Sequence, residues 1–289
     1  RLSVVYSRLL NQSCSSNRGR GCRLVCLLHD LDSLRQVHHV WTIKQEVRRL
    51  NAFDLVIVHN ERMKLLLQER GLKAKMICLG LFDYLVPSAI WQTLQSRAAG
   101  AAAERAAYSE TSNHYPSYNP QFVRVAFAGN LGKSVFLKTL YQIPEVRFIL
   151  YGPGYEQLTP HEGLEWAGTF DADELPAQLQ ADFGLIWDGE SIDACTGNLG
   201  NYLQYNNPHK ASLYLLAGLP LIAAKHTAIG DFISANGIGI TLNSLRELPQ
   251  ILSSLSLKNY LQMKGAVRPI SEALVSGTFL KQAVLARQD

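Results

Sequence analysis

Short apolar runs alternate with amphipathic stretches along the sequence, and this alternation restricts the possible folds more than any other feature. Three runs in the first part are typical of buried strands: "RLVCLLHD" (Arg23 to Asp30), "FDLVIVHN" (Phe53 to Asn60) and "KAKMICLG" (Lys73 to Gly80). Between the last two lies "ERMKLLLQERG", which has helical periodicity and ends at Gly71. This order predicts a βαβ unit with a right-handed crossover.

A second series of apolar runs follows, again separated by helical stretches. Its members are "FVRVAFAGN" (Phe122 to Asn130), "VRFILYGPG" (Val146 to Gly154), "ADFGLIWDG" (Ala181 to Gly189) and "GLPLIAA" (Gly218 to Ala224). The predicted fold class is therefore α/β, with two Rossmann-like domains, each a doubly wound parallel sheet. Ligands of such domains bind where the carboxyl ends of the strands face a cleft.

Between the two series the composition changes. Residues 96–120 are rich in Ala and then in Ser, Asn, Tyr and Pro, which indicates a linker that is helical in its first half. We expect an N-terminal domain over residues 1–95, a C-terminal domain over 121–270 and a final helix over 271–289 that crosses back to the N-terminal domain. The first series has only three clear strands and residues 1–21 are weakly patterned, so we expect the N-terminal domain to be incomplete.

Composition and charge exclude several classes of protein. The 289 residues are 47% hydrophobic and 18% charged, as in a globular protein, and the net charge of +4 is too small and dispersed for nucleic-acid binding. The five cysteines include no C-x-x-C pair, which favours reduced thiols in a cytoplasmic protein. We find no signal peptide and no apolar stretch near 18 residues, so we expect no membrane-spanning segment.

The stretch "YNNPHKASLYLLAGLPLIAAKHTAIGDFI" predicts two helix starts separated by a strand. At the first, Pro208 favours helix initiation, Lys210 adds a positive charge, and Asn206 and Asn207 add amide donors beside Tyr205. A helix N-terminus attracts anions through its free N–H groups and its dipole. The alternative is that Asn206 only caps the helix and Lys210 is a solvated residue of its first turn.

The second helix start follows the strand and is predicted at Thr227. We expect Thr227 to cap this helix, with Ala228 and Gly230 leaving N–H groups open to a ligand. Two helix starts and a lysine suit a diphosphate better than a single carboxylate.

Other polar residues follow strands of the second series. Asn130 and Lys133 lie in a Gly-containing loop that can approach a phosphate closely, although such loops are often only tight turns. Tyr151 ends the next strand and can stack on a base, or it can simply pack in a tight turn. Residues 187–210 are predicted to form a long polar loop, which is typical of a functional or mobile segment.

In the first series, "HDLDSLR" directly follows a strand and places His29 and Asp30 where a catalytic base would lie. Asp32 or Ser33 is more simply explained as a helix cap. The D-x-D triplets beginning at Asp30 and Asp171 are the pattern of a divalent-cation site, but further oxygen ligands are lacking beside the first, and turn and cap requirements explain the second. We therefore predict no metal and no other cofactor.

Several of these stretches resemble one family. "ADFGLIWDG", "YNNPHKASLYLLAGLPLI", "ISANGIGI", "CLLHDLDSLR" and "VRPISEALVSGTFLKQAV" are similar to the bacterial galactofuranosyltransferase-like and adhesin glucosyltransferase-like family of GT-B glycosyltransferases. The resemblance covers most of Cys22 to Val284 apart from the linker. It implies the GT-B fold, with a UDP-sugar donor held mainly by the C-terminal domain.

The resemblance also implies roles for individual residues. Lys210 would contact the diphosphate, Asn130 and Lys133 would lie at the donor phosphates, and Tyr151 would lie near the uridine. Thr227 and Ala228 would begin the second helix at the site. Fixed dipoles and the lysine, rather than a metal, would stabilise the departing UDP.

We therefore predict the transfer of a hexosyl group from a UDP-sugar, without a metal and with inversion at the anomeric carbon. Galactofuranosyl is the first candidate for the transferred group and glucosyl the second. The acceptor is a hydroxyl of a glycan, glycoprotein or lipid-linked saccharide. Asp30 is the first candidate base and His29 the second. A UDP-sugar epimerase or hydrolase, and a non-catalytic GT-B-like partner subunit, remain as alternatives. Peripheral association with the inner face of the membrane and a homo-oligomer are left open.

Overall fold

The computed structural model describes residues 23–35, 42–107 and 123–286. The chain divides into two compact units, residues 1–80 with 280–289, and residues 81–279. Helix Ser88–Ala107 includes the first part of the predicted linker, and residues 108–120 of that linker lie outside the described residues. The predicted domain boundaries, including the return of the final helix, stay predictions.

The first unit contains a parallel sheet in the order β1-β2-β3, as the βαβ pattern predicts. Its strands are β1 (Val25–Leu27), β2 (Leu55–Val58) and β3 (Lys75–Cys78). Its helices are α1 (Asp32–Arg35), α2 (Ile43–Leu50) and α3 (Glu61–Glu69). All four residues of β2 are buried, because this strand is the middle one and its side chains are apolar on both faces.

Local sequence explains where α3 begins and ends. The Asn60 side chain accepts a hydrogen bond from the Met63 N–H at 3.0 Å and so caps the start of the helix. The chain leaves the helix at Arg70 and Gly71, where φ is 91° and a side chain would be strained. His59, just before the cap, is buried, and its Nε2 lies 3.0 Å from the Leu28 carbonyl oxygen.

The second unit contains a six-stranded parallel sheet in the order β6-β5-β4-β7-β8-β9. Its strands are β4 (Arg124–Ala128), β5 (Arg147–Tyr151), β6 (Leu164–Gly168), β7 (Phe183–Ile186), β8 (Leu221–Ala224) and β9 (Gly239–Leu242). The four strands predicted from the sequence form the centre of this sheet. The strands β6 and β9 were not predicted, because each is an edge strand with side chains that are partly exposed.

Helices and 3-10 turns connect and flank these strands. The α-helices are α4 (Ser88–Ala107), α5 (Leu175–Gln178), α6 (Gly197–Tyr202), α7 (His209–Leu216), α8 (Ala228–Asn236), α9 (Leu248–Ser254), α10 (Leu257–Val275) and α11 (Thr278–Leu285), the last of which ends in the first unit. The main 3-10 turns are Leu131–Lys133, Val135–Gln142 and Tyr155–Gln157. No helix in the described part of the chain has the length and apolar character that crossing a bilayer requires.

The cysteines within the described residues are thiols rather than disulfides. Cys26 and Cys78 are half-buried in strands. Burial raises the pKa of the Cys195 thiol to about 12, so this side chain is protonated and inert at neutral pH. Cys195 lies in the long polar loop, which is tied to its surroundings: Ile192 O accepts the Leu245 N–H at 2.8 Å.

Candidate functional site

The connections of the second unit's sheet diverge between β4 and β7. From β4 the chain adds β5 and β6 on one side, and from β7 it adds β8 and β9 on the other. All six strands are parallel, so their carboxyl ends lie at one edge. In open α/β sheets, the crevice at such a switch point is where ligands bind.

The loops after β4 and β5 are packed backbone to backbone beside this crevice. The Gly129 N–H donates to Tyr151 O at 2.9 Å, and the Leu131 N–H donates to Pro153 O at 2.8 Å. A Cβ on Gly152 would lie 2.0 Å from Gly129 O, and φ is positive at both glycines. Only glycine fits there, and the exposed backbone can therefore approach a ligand closely.

Lys210 lies across the switch point. Its Nζ is 4.0 Å from the centroid of the Phe127 ring in β4 and 3.9 Å from Oδ2 of Asp188, which follows β7. A Cβ on Gly129 would lie 3.2 Å from Lys210 Cε, so the lysine stem runs along the end of β4. The Lys210 side chain is only 22% exposed, which argues against a freely solvated first-turn residue.

Tyr214 fixes the helix that carries this lysine. It is one turn after Lys210 in α7, is fully buried, and its hydroxyl accepts the Ala128 N–H at 2.6 Å. A Cβ on Gly184 in β7 would lie 2.2 Å from Tyr214 Cγ, so this glycine makes room for the ring. Sequence reasoning missed Tyr214 and Asp188; the spacing of four residues between Lys210 and Tyr214 was the available signal for the first.

The start of α7 agrees with the prediction in part. The N-cap is Pro208, as expected, and no side chain in the described structure caps the helix, so Asn206 is not its cap. The His209 ring stacks on Phe82 with centroids 4.2 Å apart, which holds the first turn in place. Asn206 and Asn207 are buried and Tyr205 is half-buried in the segment that leads to it.

The second predicted helix start is closed by the protein itself. Thr227 caps α8, as predicted: its hydroxyl accepts the Gly230 N–H at 3.0 Å and donates to Ala224 O at 2.6 Å. The Ala228 N–H donates to Leu203 O at 3.0 Å. The expectation of open N–H groups at Ala228 and Gly230 is therefore wrong, and the bond from Ala228 ties the start of α8 to the segment before α7.

The candidates at the ends of β4 and β5 differ in whether their side chains are exposed. Asn130 and Lys133 are exposed beside the site, and Asn130 Oδ1 accepts the Lys133 N–H at 3.1 Å, so this asparagine also caps a 3-10 turn. Tyr151 is only 2% exposed, and its hydroxyl accepts the Gln180 N–H at 2.9 Å. Its ring is part of the core, so the prediction that it stacks on a base is wrong; the tight-turn alternative is correct.

His29 and Asp30 lie in the first unit, where both are exposed directly after β1. Asp30 forms an ion pair with Arg35 at the end of α1. Glu46 of α2 accepts the Asp32 N–H at 2.9 Å, and the cap by Asp32 or Ser33 stays a prediction. Burial raises the pKa of Glu46, although its hydrogen bonds from Ser33 and Asp32 oppose that shift. The role of Asp30 as a base stays a prediction.

Two domain models of one known family match the two parts of the chain. The glucosyltransferase 3-like C-terminal domain matches residues 125–287, and the glucosyltransferase 3-like N-terminal domain matches residues 8–81. The β-1,6-galactofuranosyltransferase WbbI of Escherichia coli K12 is 31% identical over 267 residues, which are 91% of this chain and 70% of that protein. Glucosyltransferase 3 of Streptococcus gordonii is 24% identical over 266 residues, 91% of this chain and 70% of that protein.

Solved structures show the same fold at low identity. A sucrose-phosphate synthase from Thermosynechococcus elongatus aligns with a TM-score of 0.58 at 13% identity, covering 91% of this chain and 67% of that one. A UDP-forming trehalose-phosphate synthase from Burkholderia vietnamiensis aligns with a TM-score of 0.52 at 11% identity, covering 94% and 71%.

The fold is that of the GT-B glycosyltransferases, which confirms the predicted fold class. The chain belongs to the glucosyltransferase 3-like family. The family suspected from the sequence is thereby confirmed, and the protein is an enzyme of the transferase class.

Proposed function

We propose that the protein transfers a galactofuranosyl group from UDP to a hydroxyl of a glycan acceptor. The observation that carries this proposal is the position of Lys210 Nζ beside Gly129 and Asp188 at the β4–β7 switch point. The choice of sugar is supported by the 31% identical relative, which is named as a galactofuranosyltransferase. Glucosyl transfer from UDP-glucose is the second candidate, because the streptococcal relatives are named glucosyltransferases.

In this proposal Lys210 and the start of α7 bind the diphosphate. The positive end of the helix and the ammonium group oppose the charge that develops on UDP as the glycosidic bond breaks. The lysine is prepositioned by its contact with Phe127 and by Tyr214, so little reorganisation is needed during the reaction. Charge neutralisation by these groups would make a divalent cation unnecessary.

The proposed chemistry is a single inverting displacement. The acceptor oxygen forms a bond to the anomeric carbon while the bond from that carbon to the UDP oxygen breaks. The acceptor proton passes to a general base, for which we propose the exposed carboxylate of Asp30, with His29 as the alternative. UDP leaves with the electron pair of the broken bond.

Calorimetric titration of UDP, UDP-glucose and UDP-galactofuranose, with and without EDTA, tests the donor site. We compare wild type with Lys210→Met, which keeps the apolar stem over Phe127 but removes the charge. Loss of a charge-assisted contact should weaken UDP binding by about 10- to 100-fold. Lys258→Met, at an exposed lysine of α10, is the matched control and should bind as wild type does.

Each outcome has a distinct meaning. Binding that survives EDTA and falls only in Lys210→Met supports the metal-independent donor site, and the affinities rank the two sugars. If no UDP ligand binds wild type, the proposal fails and the partner-subunit alternative replaces it. Turnover of the donor that needs no acceptor would instead indicate a hydrolase or an epimerase.

The candidate base requires a separate test with acceptor present. Asp30→Asn should lower kcat by about 10²- to 10⁴-fold, because proton transfer in the transition state is lost. Its affinity for UDP should stay unchanged, because this change leaves the diphosphate contacts intact. Asp32→Asn, two residues further along and also exposed, is the control. Equal kcat values for the two variants would remove Asp30 from the mechanism.

A further inference from the structure

The side chain of Asn206 contains a buried acceptor with no donor. The residue is 9% exposed, and Oδ1 has no hydrogen-bond partner among the described residues. Leaving a buried acceptor unsatisfied costs more than an ordinary hydrogen bond contributes, so native proteins retain few of them. The oxygen of Asn206 therefore requires an explanation.

Other asparagines of the protein show what an internal partner for the side-chain oxygen looks like. Asn60 Oδ1 accepts the Met63 N–H at 3.0 Å, and Asn130 Oδ1 accepts the Lys133 N–H at 3.1 Å. Each of these oxygens caps a helical turn. Asn206 has no comparable contact, although it lies two residues before Pro208, the N-cap of α7.

The position of Asn206 connects it to the site. Its backbone N–H donates to Tyr202 O at 3.2 Å, which fixes the chain at the end of α6. The same segment then enters α7, where Lys210 is the second residue. The unsatisfied oxygen and the site cation therefore belong to one short, well-anchored stretch of chain.

Chemistry identifies what kind of ligand group can satisfy this oxygen. A diphosphate at neutral pH offers only acceptors, whereas a sugar hydroxyl offers a donor. We propose that Asn206 Oδ1 accepts a hydrogen bond from a hydroxyl of the UDP-sugar, so that Asn206 recognises a sugar while Lys210 binds the diphosphate. The proposal rests on the proposed function. The terminal torsion of asparagine is broad, so the amide can turn toward the ligand at little cost.

Asn206→Leu tests the proposal, because leucine has nearly the same shape and no polar atom. Titration should show a Kd about tenfold higher, the effect of one lost hydrogen bond. The melting temperature without ligand should be unchanged or higher, because the variant has no orphaned acceptor. Asn201→Leu, at an exposed position of α6, is the control and should leave the Kd unchanged.

Comparing ligands locates the hydroxyl. A loss seen already with UDP assigns it to the ribose, and a loss seen only with UDP-galactofuranose or UDP-glucose assigns it to the hexosyl group. Wild-type Kd values in Asn206→Leu, or a melting temperature that falls together with the affinity, would overturn the proposal. Failure of wild type to bind any UDP ligand would instead overturn the proposed function, and this inference with it.

Discussion

Lys210 Nζ lies 3.9 Å from Oδ2 of Asp188, and these two side chains come from different elements that lie side by side at the switch point of the sheet. Lys210 enters from the start of α7, and Asp188 follows β7 by two residues. The pair is long for an ion pair, and both side chains are mostly buried, with 22% and 25% of their surfaces exposed. A bound diphosphate and the Asp188 carboxylate would therefore compete for the same ammonium group.

This competition predicts the effect of Asp188→Asn. Removal of a negative charge near the diphosphate should tighten UDP binding by about fivefold at low ionic strength, with a smaller gain at high salt. Titration at two salt concentrations measures the effect. Asp231→Asn in α8 is a charge-matched comparison that should change little. Weaker binding in Asp188→Asn would mean that the carboxylate holds Lys210 in place rather than competing with the ligand.

The hydrogen bond between Tyr214 and Ala128 predicts a loss of stability in Tyr214→Phe. The variant leaves the buried Ala128 N–H without its acceptor, which should lower the free energy of unfolding by about 1–3 kcal/mol. Denaturant titration measures the change. Tyr141→Phe, at a side chain that is 57% exposed, should stay within about 0.5 kcal/mol of wild type. Equal values for the two variants would contradict a structural role for the Tyr214 hydroxyl.

Replacing glycine with alanine should have opposite effects on stability at two positions. Gly184→Ala should destabilise the protein by about 1–3 kcal/mol, because the new Cβ would lie 2.2 Å from Tyr214 Cγ. Gly265→Ala, in α10 with open space around the position, should stabilise it by about 0.5–1 kcal/mol through helix propensity. Thermal unfolding of both variants provides the comparison, and a stabilising Gly184→Ala would show that the Tyr214 ring moves aside freely.

The buried carboxyl of Asp182 should make the stability of the protein depend on pH. Burial raises the pKa of this carboxyl, although hydrogen bonding to the Arg124 N–H at 2.7 Å opposes that shift. The folded state therefore binds the proton more tightly than the unfolded state, so the contribution of Asp182 to stability falls as pH rises from about 4 through the raised pKa. The free energy of unfolding of wild type should decrease relative to Asp182→Asn over this range.

Denaturant titrations of both proteins at several pH values isolate this term, because the other carboxyl groups contribute equally to the two curves. A constant difference between wild type and Asp182→Asn would contradict the raised pKa. A difference that grows in favour of wild type would mean that Arg124 and Lys264 outweigh burial.

The sequence by itself determined the parallel α/β class, the central strands and the start of α7 at Pro208. These features depend on local properties: apolar runs of strand length, helical periodicity and the conformational limits of proline and glycine. The edge strands β6 and β9 were missed because their alternating or mixed side chains give a weaker pattern. The glucosyltransferase 3-like family was also recognisable from the sequence, since several motifs lie in order along the chain.

Only the tertiary structure decided which polar groups at the edge of the sheet have internal partners. Tyr151 and Thr227 look like ligand contacts in the sequence, but Gln180 and Ala224 are their partners, and Leu203 takes the Ala228 N–H. Asp188 became part of the site only because β7 lies next to β4. Strand order brings such groups together across long distances in sequence, and no local pattern records that order.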